Sequence, residues 1–444
     1  MLLVLALLLC GPLAAAPASA QLAQMDDASF VLRDATGQVR QAHHGDQPMI
    51  PASTLKILTA WLALDYWGED YQFPTEFYVD KDHWLWIKGF GDPMLVSEEL
   101  AQIAAELARL SLPVIRGIGI DTSFYDEHIL IDGQANSDNP YDAPVAALVA
   151  NFNTVYLRRE HGRLQSAEPQ TPLTGVAKKL GERIRQGKQR INIRHAQDSG
   201  RYFAELLRSK LAMQGIATGQ QIREGAVPEQ ARRVYRHMNS RPLSEVVRAM
   251  LKYSTNLIAN QLFLNLGAAR FGAPATMEKA VAHAQEQVAR QFDWAGFVIH
   301  EGAGLSRRNR MTALQMTELL QVFYPYRDLL KSAQPHVQAK TGTLRGIRTY
   351  AGYLNLETAV GSRKSTQALG APGESEKPLI TNKVTTSFSD SPCTAIAYAS
   401  FSCPTAVSRL KTSREIWPFA VFINQAAPHD LRKRLVREWQ QGMR

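Results

Sequence analysis

The hydrophobic and polar pattern of the N-terminal part predicts a β-hairpin followed by a buried helix. Apolar and polar residues alternate on both sides of a turn at residues 35–38, which is typical of a hairpin. Over residues 53–64, apolar side chains occupy nearly every side of a helical projection. Because a helix that is apolar on all sides must be buried, we expect this helix to lie inside a large core.

The middle of the chain predicts an inserted α+β region, and two helices follow it. Residues 84–88 have the pattern of a strand, and residues 98–110 have that of a helix. Helical periodicity then extends over residues 243–268 but is broken at residues 252–254. A second helix is therefore predicted to begin just after Ser254.

The C-terminal part predicts strands that are interrupted by a long insertion. Residues 337–343, 348–354 and 417–423 predict three antiparallel strands, and residues 431–439 predict a helix. Residues 357–414, between the last two strands, are rich in Ser, Thr, Pro and Gly and have no sustained periodicity. We expect this segment to be a mobile insertion.

Composition and charge narrow the class of protein. The chain has 444 residues, of which 45% are hydrophobic and 20% charged, so it can bury a large core and is neither disordered nor fibrous. Its formal net charge is +9, but the basic residues are spread along the chain. We therefore expect no nucleic-acid partner and at most peripheral contact with a membrane.

The first 20 residues have the pattern of a secretory signal peptide. A Leu-rich run too short to span a bilayer is followed by Ala18, Ser19 and Ala20, which form a small-x-small cleavage site. The protein is therefore predicted to be exported to the periplasm and cleaved near Ala20. Cys393 and Cys403 remain after cleavage and could pair in an oxidising compartment, but the sequence leaves their pairing open.

The first candidate for chemistry is an S-x-x-K motif. Ser53 and Lys56 stand three residues apart at the start of the buried helix, so their side chains share one face. Burial lowers the pKa of a lysine, which allows the neutral amine to take the proton of a serine hydroxyl. An S-x-x-K occurs by chance about once in a chain of this length, and residues 408–411 (SRLK) are such a chance match.

Two further motifs follow in the chain. Ser254 and Asn256 stand at a helix opening, where they could complete a proton path, although the more common role of such residues is an N-cap. Residues 340–343 (KTGT) lie on a predicted strand, where Gly342 allows close approach of a substrate backbone, and Lys340 and Thr341 can bind a carboxylate. The structural alternative for this motif is a solvated strand edge.

In this order the three motifs resemble those of the penicillin-recognising serine hydrolases, which include penicillin-binding proteins and serine β-lactamases. Further segments are similar to the D-Ala-D-Ala carboxypeptidase/endopeptidase family called class C penicillin-binding protein 4, namely residues 89–95 (GFGDPML), 140–144 (PYDAP), 151–153 (NFN) and 302–307 (GAGLSR). The resemblance covers most of residues 25–355 and 417–444. The chain departs from the family pattern at Thr255, where Asp is frequent, and at Glu301 and Ala303, which vary the D-G-S-G-L-S pattern.

The resemblance implies an α+β fold of the penicillin-binding-protein/serine β-lactamase-like transpeptidase type, with an antiparallel sheet flanked by helices and an inserted α+β region. Residues 21–68 and 243–444 would form a discontinuous catalytic domain. Residues 69–242 would form inserted accessory domains, and residues 357–414 would be an insertion within the catalytic domain.

The resemblance also implies an exported serine DD-peptidase that hydrolyses peptidoglycan stem peptides or their cross-links and binds β-lactam antibiotics. Ser53 would form the acyl-enzyme and Lys56 would be the general base. Ser254 and Lys340 would relay a proton to the leaving D-Ala, and Asn256 would hold Lys56 and the substrate amide.

The strand motif would bind the substrate through Thr341, Gly342 and Thr343. The two threonines would hold its terminal carboxylate, and the backbone amides of Ser53 and Thr343 would form the oxyanion hole. No metal or organic cofactor is implied. Two alternatives remain open from the sequence: a serine β-lactamase, which would release penicillin rapidly, and a catalytically impaired cell-wall-binding homologue.

Overall fold

The computed structural model describes residues 16–357 and 414–443, which contain ten α-helices and fourteen β-strands. The helices are α1 (Ala18–Ala23), α2 (Lys56–Trp67), α3 (Ser97–Ala108), α4 (Gly175–Gly181), α5 (Ala196–Met213), α6 (Leu243–Tyr253), α7 (Asn256–Phe271), α8 (Met277–Gln291), α9 (Ala313–Phe323) and α10 (Leu431–Gly442). The strands are β1 (Ala28–Arg33), β2 (Val39–His43), β3 (Pro74–Val79), β4 (Trp84–Gly89), β5 (Ile115–Asp121), β6 (Thr154–Glu160), β7 (Arg163–Ser166), β8 (Gly187–Asn192), β9 (Thr218–Glu224), β10 (Arg232–Met238), β11 (Ser332–Gln334), β12 (Val337–Leu344), β13 (Ile347–Glu357) and β14 (Arg414–Ile423).

Some predictions fall on parts of the chain that lie outside the described residues. These are the first 15 residues of the predicted signal peptide, Cys393, Cys403 and all but the ends of the predicted insertion at residues 357–414. Among the described residues, no helix combines the length and the apolar character needed to cross a membrane.

A six-stranded sheet carries the strand motif, with the strand order β11-β12-β13-β14-β1-β2. Strand β1 pairs antiparallel with β14 and β2, and β12 pairs antiparallel with β11 and β13. Side chains of β14 alternate between two cores: Phe419 and Val421 pack in the core that contains α10, whereas Ala420 and Phe422 pack in the core that contains α2. Helices therefore cover both faces of this sheet.

Helix α2 lies in the larger of these two cores. Every residue from 56 to 64 is buried, and the helix packs against α6, α7 and α9. The prediction of a buried helix is confirmed, because an all-apolar surface requires contacts on every side.

Two more sheets are formed by the chain between α2 and α6. The first has the order β10-β3-β4-β5-β9, in which β5 is parallel to both of its neighbours. The second has the order β7-β6-β8 and is antiparallel. Together with α3 and α5 they enclose a core of their own. The predicted α+β content of this region is confirmed, whereas its division at residues 69–242 into separate domains stays a prediction.

One predicted helix start is wrong. Ser53 does not lie in an α-helix but in a 3-10 turn, Ala52–Leu55, and α2 begins at Lys56. Ala52 has a φ of 46°, which lies outside the helical region, so the chain enters the helix through a tighter turn. This turn sets the direction in which Ser53 faces the sheet.

Candidate active site

Ser53 lies on a tight turn that packs against two glycines. A Cβ on Gly304 would lie 1.9 Å from the carbonyl oxygen of Ala52, and a Cβ on Gly342 would lie 2.8 Å from the backbone nitrogen of Ser53. Both contacts require glycine. The sequence predicted that Gly342 admits a substrate backbone, and the structure adds a second reason: strand β12 passes directly beside the Ser53 amide.

Lys56 is completely buried, with 0% of its surface exposed. Its amine nitrogen Nζ donates to three oxygen atoms: Ser53 Oγ at 3.1 Å, Asn256 Oδ1 at 2.8 Å and the Ala303 carbonyl oxygen at 2.6 Å. Burial lowers the pKa of Lys56 to about 7, and the negative charge of Glu301 opposes part of this shift. A lysine with this pKa is partly neutral near pH 7 and can accept a proton.

Ser254 ends α6 in the left-handed conformation, with a φ of 57°, and Thr255 occupies the N-cap position of α7. The alternative in which Ser254 is an N-cap is therefore wrong. Its hydroxyl instead accepts a hydrogen bond from Lys340 Nζ at 2.8 Å. The side-chain amide of Asn256 makes two hydrogen bonds. Its Oδ1 accepts from Lys56 Nζ, and its Nδ2 donates to the Tyr141 carbonyl oxygen at 3.0 Å.

Lys340 is a second buried amine, on an internal strand of the sheet. It is 3% exposed, and its Nζ donates to Ser254 Oγ and, at 2.7 Å, to the Thr341 carbonyl oxygen. Burial holds the pKa of Lys340 well below its ordinary value, and the positive charges of Lys56 and Arg432 lower it further. A solvated strand edge is therefore the wrong description of this motif.

Arg432, on α10, contacts the same strand and was not among the predicted site residues. Its Nη1 donates to the carbonyl oxygens of Gly342 and Thr349, and its Nη2 lies 3.5 Å from Thr343 Oγ1. The residue is 8% exposed, and burial lowers its pKa to about 10. Arg432 therefore adds a buried positive charge behind residues 341–343.

The loop at residues 302–306 supplies the third acceptor of the buried Lys56 amine. Glu301, which is 0% exposed, folds over this loop. Its carboxylate accepts hydrogen bonds from the backbone N–H groups of Ala303 at 2.7 Å and Leu305 at 2.8 Å, and from the Asn309 side chain at 3.0 Å. The sequence marked Glu301 and Ala303 only as departures from a family pattern, since no local signal reports a contact made by a carbonyl oxygen.

A cavity of about 610 Å³ lies next to this cluster and is lined in part by Asn256. The exposed rings of Tyr141 and Tyr253 also line it, and so do Arg190 and Glu168 from the region of the three-stranded sheet. Its volume is in the range of cavities that hold small ligands and short peptides. In residues 16–357 and 414–443, no group of His, Cys, Asp and Glu is placed to hold a metal ion.

The structure thus brings four of the predicted site residues together as two serine–lysine pairs, Ser53 with Lys56 and Ser254 with Lys340, and it places Asn256 on Lys56 and Gly342 beside Ser53. A family model matches the chain: that of the D-Ala-D-Ala carboxypeptidase 3 (S13) family covers residues 12–174 and 180–332. The chain belongs to this family. The matched part of this S13 peptidase contains the first two motifs and ends before Lys340.

Two relatives of this S13 peptidase are carboxypeptidases by name. It is 25% identical to the D-alanyl-D-alanine carboxypeptidase of Actinomadura sp., over 73% of this chain and 74% of that protein. It is 23% identical to the D-alanyl-D-alanine carboxypeptidase DacB of Haemophilus influenzae, over 71% of this chain and 80% of the relative. The predicted resemblance is confirmed, and the protein is a serine-type carboxypeptidase.

A solved structure shows the same fold. Penicillin-binding protein 4 of Haemophilus influenzae superposes with a TM-score of 0.69 and 17% sequence identity, covering 96% of this chain and 98% of the other. The predicted fold class, an α+β transpeptidase-like fold with an antiparallel sheet flanked by helices, is confirmed.

Proposed function

We propose that this serine DD-peptidase hydrolyses peptidoglycan stem peptides ending in D-Ala-D-Ala through an acyl-enzyme on Ser53. The observation that carries the proposal is the placement of the Lys56 amine 3.1 Å from Ser53 Oγ in a fully buried position. A serine hydroxyl needs a base at this distance, and burial gives the lysine a pKa near neutrality.

Acylation begins when neutral Lys56 takes the hydroxyl proton of Ser53. The Ser53 oxygen then bonds to the penultimate D-Ala carbonyl carbon, and a tetrahedral oxyanion forms. The backbone amides of Ser53 and Thr343 donate to this oxyanion. Removing one such donor typically raises the barrier by about 3 kcal/mol.

The second serine–lysine pair serves the leaving group. Ser254, held by Lys340, passes its hydroxyl proton to the nitrogen of the terminal D-Ala as the carbon–nitrogen bond breaks. It is reprotonated by the proton that Lys56 took from Ser53, so Lys56 becomes neutral again. Asn256 orients both Lys56 and the substrate amide. Water then attacks the Ser53 ester and gives one proton to neutral Lys56. Lys56 passes this proton to Ser53 Oγ as the carbon–oxygen bond breaks and the shortened peptide leaves.

Thr341 and Thr343 hold the terminal carboxylate of the substrate in front of buried positive charges. Lys340 Nζ donates to the carbonyl oxygen of Thr341, and Arg432 Nη2 lies 3.5 Å from the hydroxyl of Thr343. Because a carboxylate is stabilised by nearby cations and hydrogen-bond donors, these residues favour peptides with a free C-terminus. The same carboxylate is present in penicillins, so β-lactams acylate Ser53 as substrate mimics.

The substrate class includes cross-linked stem peptides as well as single ones. The cavity beside Asn256 leaves space for more peptide than two alanines, which supports endopeptidase activity in addition to carboxypeptidase activity. The signal-peptide pattern supports export to the periplasm, where peptidoglycan is accessible. Cleavage after Ala20 falls within α1, so the mass of the mature protein tests this part of the proposal directly.

The decisive experiment is mass spectrometry of the purified protein after brief exposure to benzylpenicillin, with peptide mapping and a time course. We expect a long-lived adduct on Ser53, none in Ser53→Ala, and a normal adduct in the control Ser209→Ala, which changes a serine on α5. Hydrolysis of D-Ala-D-Ala peptides should disappear in Ser53→Ala alone.

Other outcomes separate the alternatives. Rapid release of the adduct with fast loss of penicillin would indicate a serine β-lactamase. A wild-type protein that is folded but never acylated would indicate a cell-wall-binding homologue without activity. Unchanged hydrolysis in Ser53→Ala would contradict the assignment of the nucleophile.

A further inference from the structure

The neutral amine of Lys56 has two N–H groups and one lone pair, and the three oxygens around it are not equivalent. Asn256 Oδ1 and the Ala303 carbonyl oxygen have no hydrogen to give, so each can only accept. They therefore take both N–H groups of the neutral amine. The lone pair is left for the third neighbour, the Ser53 hydroxyl, which can donate.

The direction of this lone pair depends on how firmly the Ala303 carbonyl is held. The loop has three buried anchors: Thr59 Oγ1 donates to the Gly302 carbonyl at 2.6 Å, the Gly302 N–H donates to Asn260 at 2.8 Å, and the Glu301 carboxylate accepts from the Ala303 N–H at 2.7 Å. Of these anchors, only Glu301 binds the N–H of Ala303 itself. A shift of that residue would turn its carbonyl away from the amine.

Glu301 also differs from the other anchors in carrying a charge. Its two carboxylate oxygens accept from the N–H groups of Ala303, Leu305 and Ser306 and from Asn309. These four hydrogen bonds compensate the burial of the carboxylate. The nearby cation on which its field acts is Lys56. One side chain therefore sets both the geometry and the electrostatics of the amine.

We propose that Glu301 is a positioning residue for the acylation step, which fixes the Ala303 carbonyl so that the lone pair of Lys56 points at Ser53, and supplies the buried counter-charge of that lysine. This inference rests on the proposed function, because it requires Lys56 to be the base. It assigns a catalytic consequence to a side chain that never touches the substrate.

The charged and titratable groups around Lys56 determine the sign of the expected pH effect. Burial favours the neutral amine, whereas Glu301 favours the protonated one. The other amine nearby is that of Lys340, from strand β12, and the charge of Lys56 lowers its pKa. Removing the carboxylate lowers the pKa of Lys56 further. The acid limb of the acylation rate, which reports the loss of neutral Lys56, then moves to lower pH.

The test is the second-order rate constant for acylation by benzylpenicillin, measured between about pH 5.5 and about pH 9 in full-length protein. In Glu301→Gln we expect the midpoint of the acid limb to fall by about half a unit or more, and the plateau rate to fall about tenfold, since an amide cannot accept from every donor of the loop. In Glu301→Asp the charge remains, so the midpoint stays within about 0.3 unit of wild type. Its shorter arm withdraws from the loop, so its plateau falls about threefold.

The matched control is Glu99→Gln, which neutralises another fully buried glutamate that accepts hydrogen bonds away from the site, from Ser240 and His237. It should keep the wild-type midpoint and plateau, whatever its melting temperature. An unchanged midpoint in Glu301→Gln would overturn the inference. If that variant does not fold, a wild-type plateau in Glu301→Asp would overturn it equally. Failure of the wild type to be acylated at Ser53 would instead contradict the proposed function.

Discussion

The candidate site has two walls, and each contains a buried lysine: Lys56 on helix α2 (the α2 wall) and Lys340 on strand β12 (the β12 wall). The charges that act on these two lysines are opposite in sign. On the α2 wall, Lys56 has the carboxylate of Glu301 nearby, which offsets part of the effect of burial and leaves its pKa at about 7. On the β12 wall, the charges that act on Lys340 are those of Lys56 and Arg432, both positive, so its pKa is held well below its usual range. One wall contains its own counter-ion and the other does not.

This difference indicates a division of labour. A lysine with a built-in counter-ion and a pKa near neutrality is suited to gain and lose protons during each cycle. A wall with unbalanced buried positive charge is suited to receive an anion, because the anion supplies the missing charge. In the proposed function that anion is the terminal carboxylate of the substrate. This difference predicts that substitutions on the α2 wall lower the acylation rate for every substrate. Substitutions on the β12 wall should instead change the preference for a free C-terminal carboxylate.

The largest effect is expected from removing the base on the α2 wall. Lys56→Met replaces the amine with an unbranched side chain that is one atom shorter and cannot take a proton, so the acylation rate should fall about a thousandfold at every pH. The loss should be equal for peptides that end in D-Ala-D-Ala and for the same peptides with an amidated C-terminus. Pre-steady-state acylation kinetics measure both.

Lys210→Met is the matched control for this variant. Lys210 is 7% exposed and donates to the Gln170 carbonyl oxygen, remote from both serine–lysine pairs in sequence. Its replacement should leave the acylation rate within about twofold of wild type. A Lys56→Met protein that retains more than about a tenth of the wild-type rate would mean that another group is the base.

A smaller and more selective effect is expected on the β12 wall. Arg432→Leu removes the positive charge behind Thr343 and the hydrogen bonds to Gly342 and Thr349. The value of kcat/KM for the free acid should fall about tenfold and that for the amidated peptide much less, because only the acid loses its electrostatic partner. The ratio of the two values is the measurement.

Arg434→Leu, on the same helix, is the control for Arg432→Leu. It distinguishes a change in substrate preference from a loss of folding stability. Arg434 donates a partly buried hydrogen bond to Gln21 and forms an ion pair with Asp430, so its loss should leave the ratio of acid to amide unchanged. Arg432→Leu also leaves carbonyl groups without a donor, which costs about 1–3 kcal/mol of folding free energy. Equal losses for acid and amide would mean that Arg432 only stabilises the strand.

The two walls also differ in how far the sequence predicted them. Ser53 and Lys56 are three residues apart within one apolar segment, and residues 340–343 are contiguous, so spacing and periodicity made them candidates. The order of the three motifs and the family resemblance then identified them. The turn at Ser53 and the left-handed Ser254 were not predicted, because φ values of non-glycine residues depend on tertiary contacts. The burial of α2 and the existence of the three C-terminal strands followed from local pattern, but β13 ends three residues later and β14 begins three residues earlier than predicted.

The parts that were missed depend on long-range contacts. Arg432 is one of several basic residues in α10, and only the packing of that helix on the sheet distinguishes it from its solvated neighbours. The Ala303 contact is made by a backbone carbonyl, which every residue has. Likewise, the order of the six-stranded sheet places β1 beside β14, a pairing between the two ends of the chain that periodicity does not specify.

The smallest effect, and the one that tests the comparison most directly, is proton uptake on binding. In Ser53→Ala at about pH 8, a D-Ala-D-Ala peptide brings a carboxylate to Lys340, whose pKa should rise toward its ordinary value. The sign is therefore uptake, of at most about one proton per site, and it should vanish at low pH, where Lys340 is already protonated. Calorimetry in two buffers of different ionisation enthalpy measures it, with the amidated peptide and a Ser53→Ala, Lys340→Met protein as controls. Arg432→Leu should reduce the uptake, because Lys340 then has less positive charge beside it and is more often protonated before the ligand binds. Release of protons, or equal uptake with the acid and the amide, would contradict the inference that the β12 wall binds the carboxylate of the substrate.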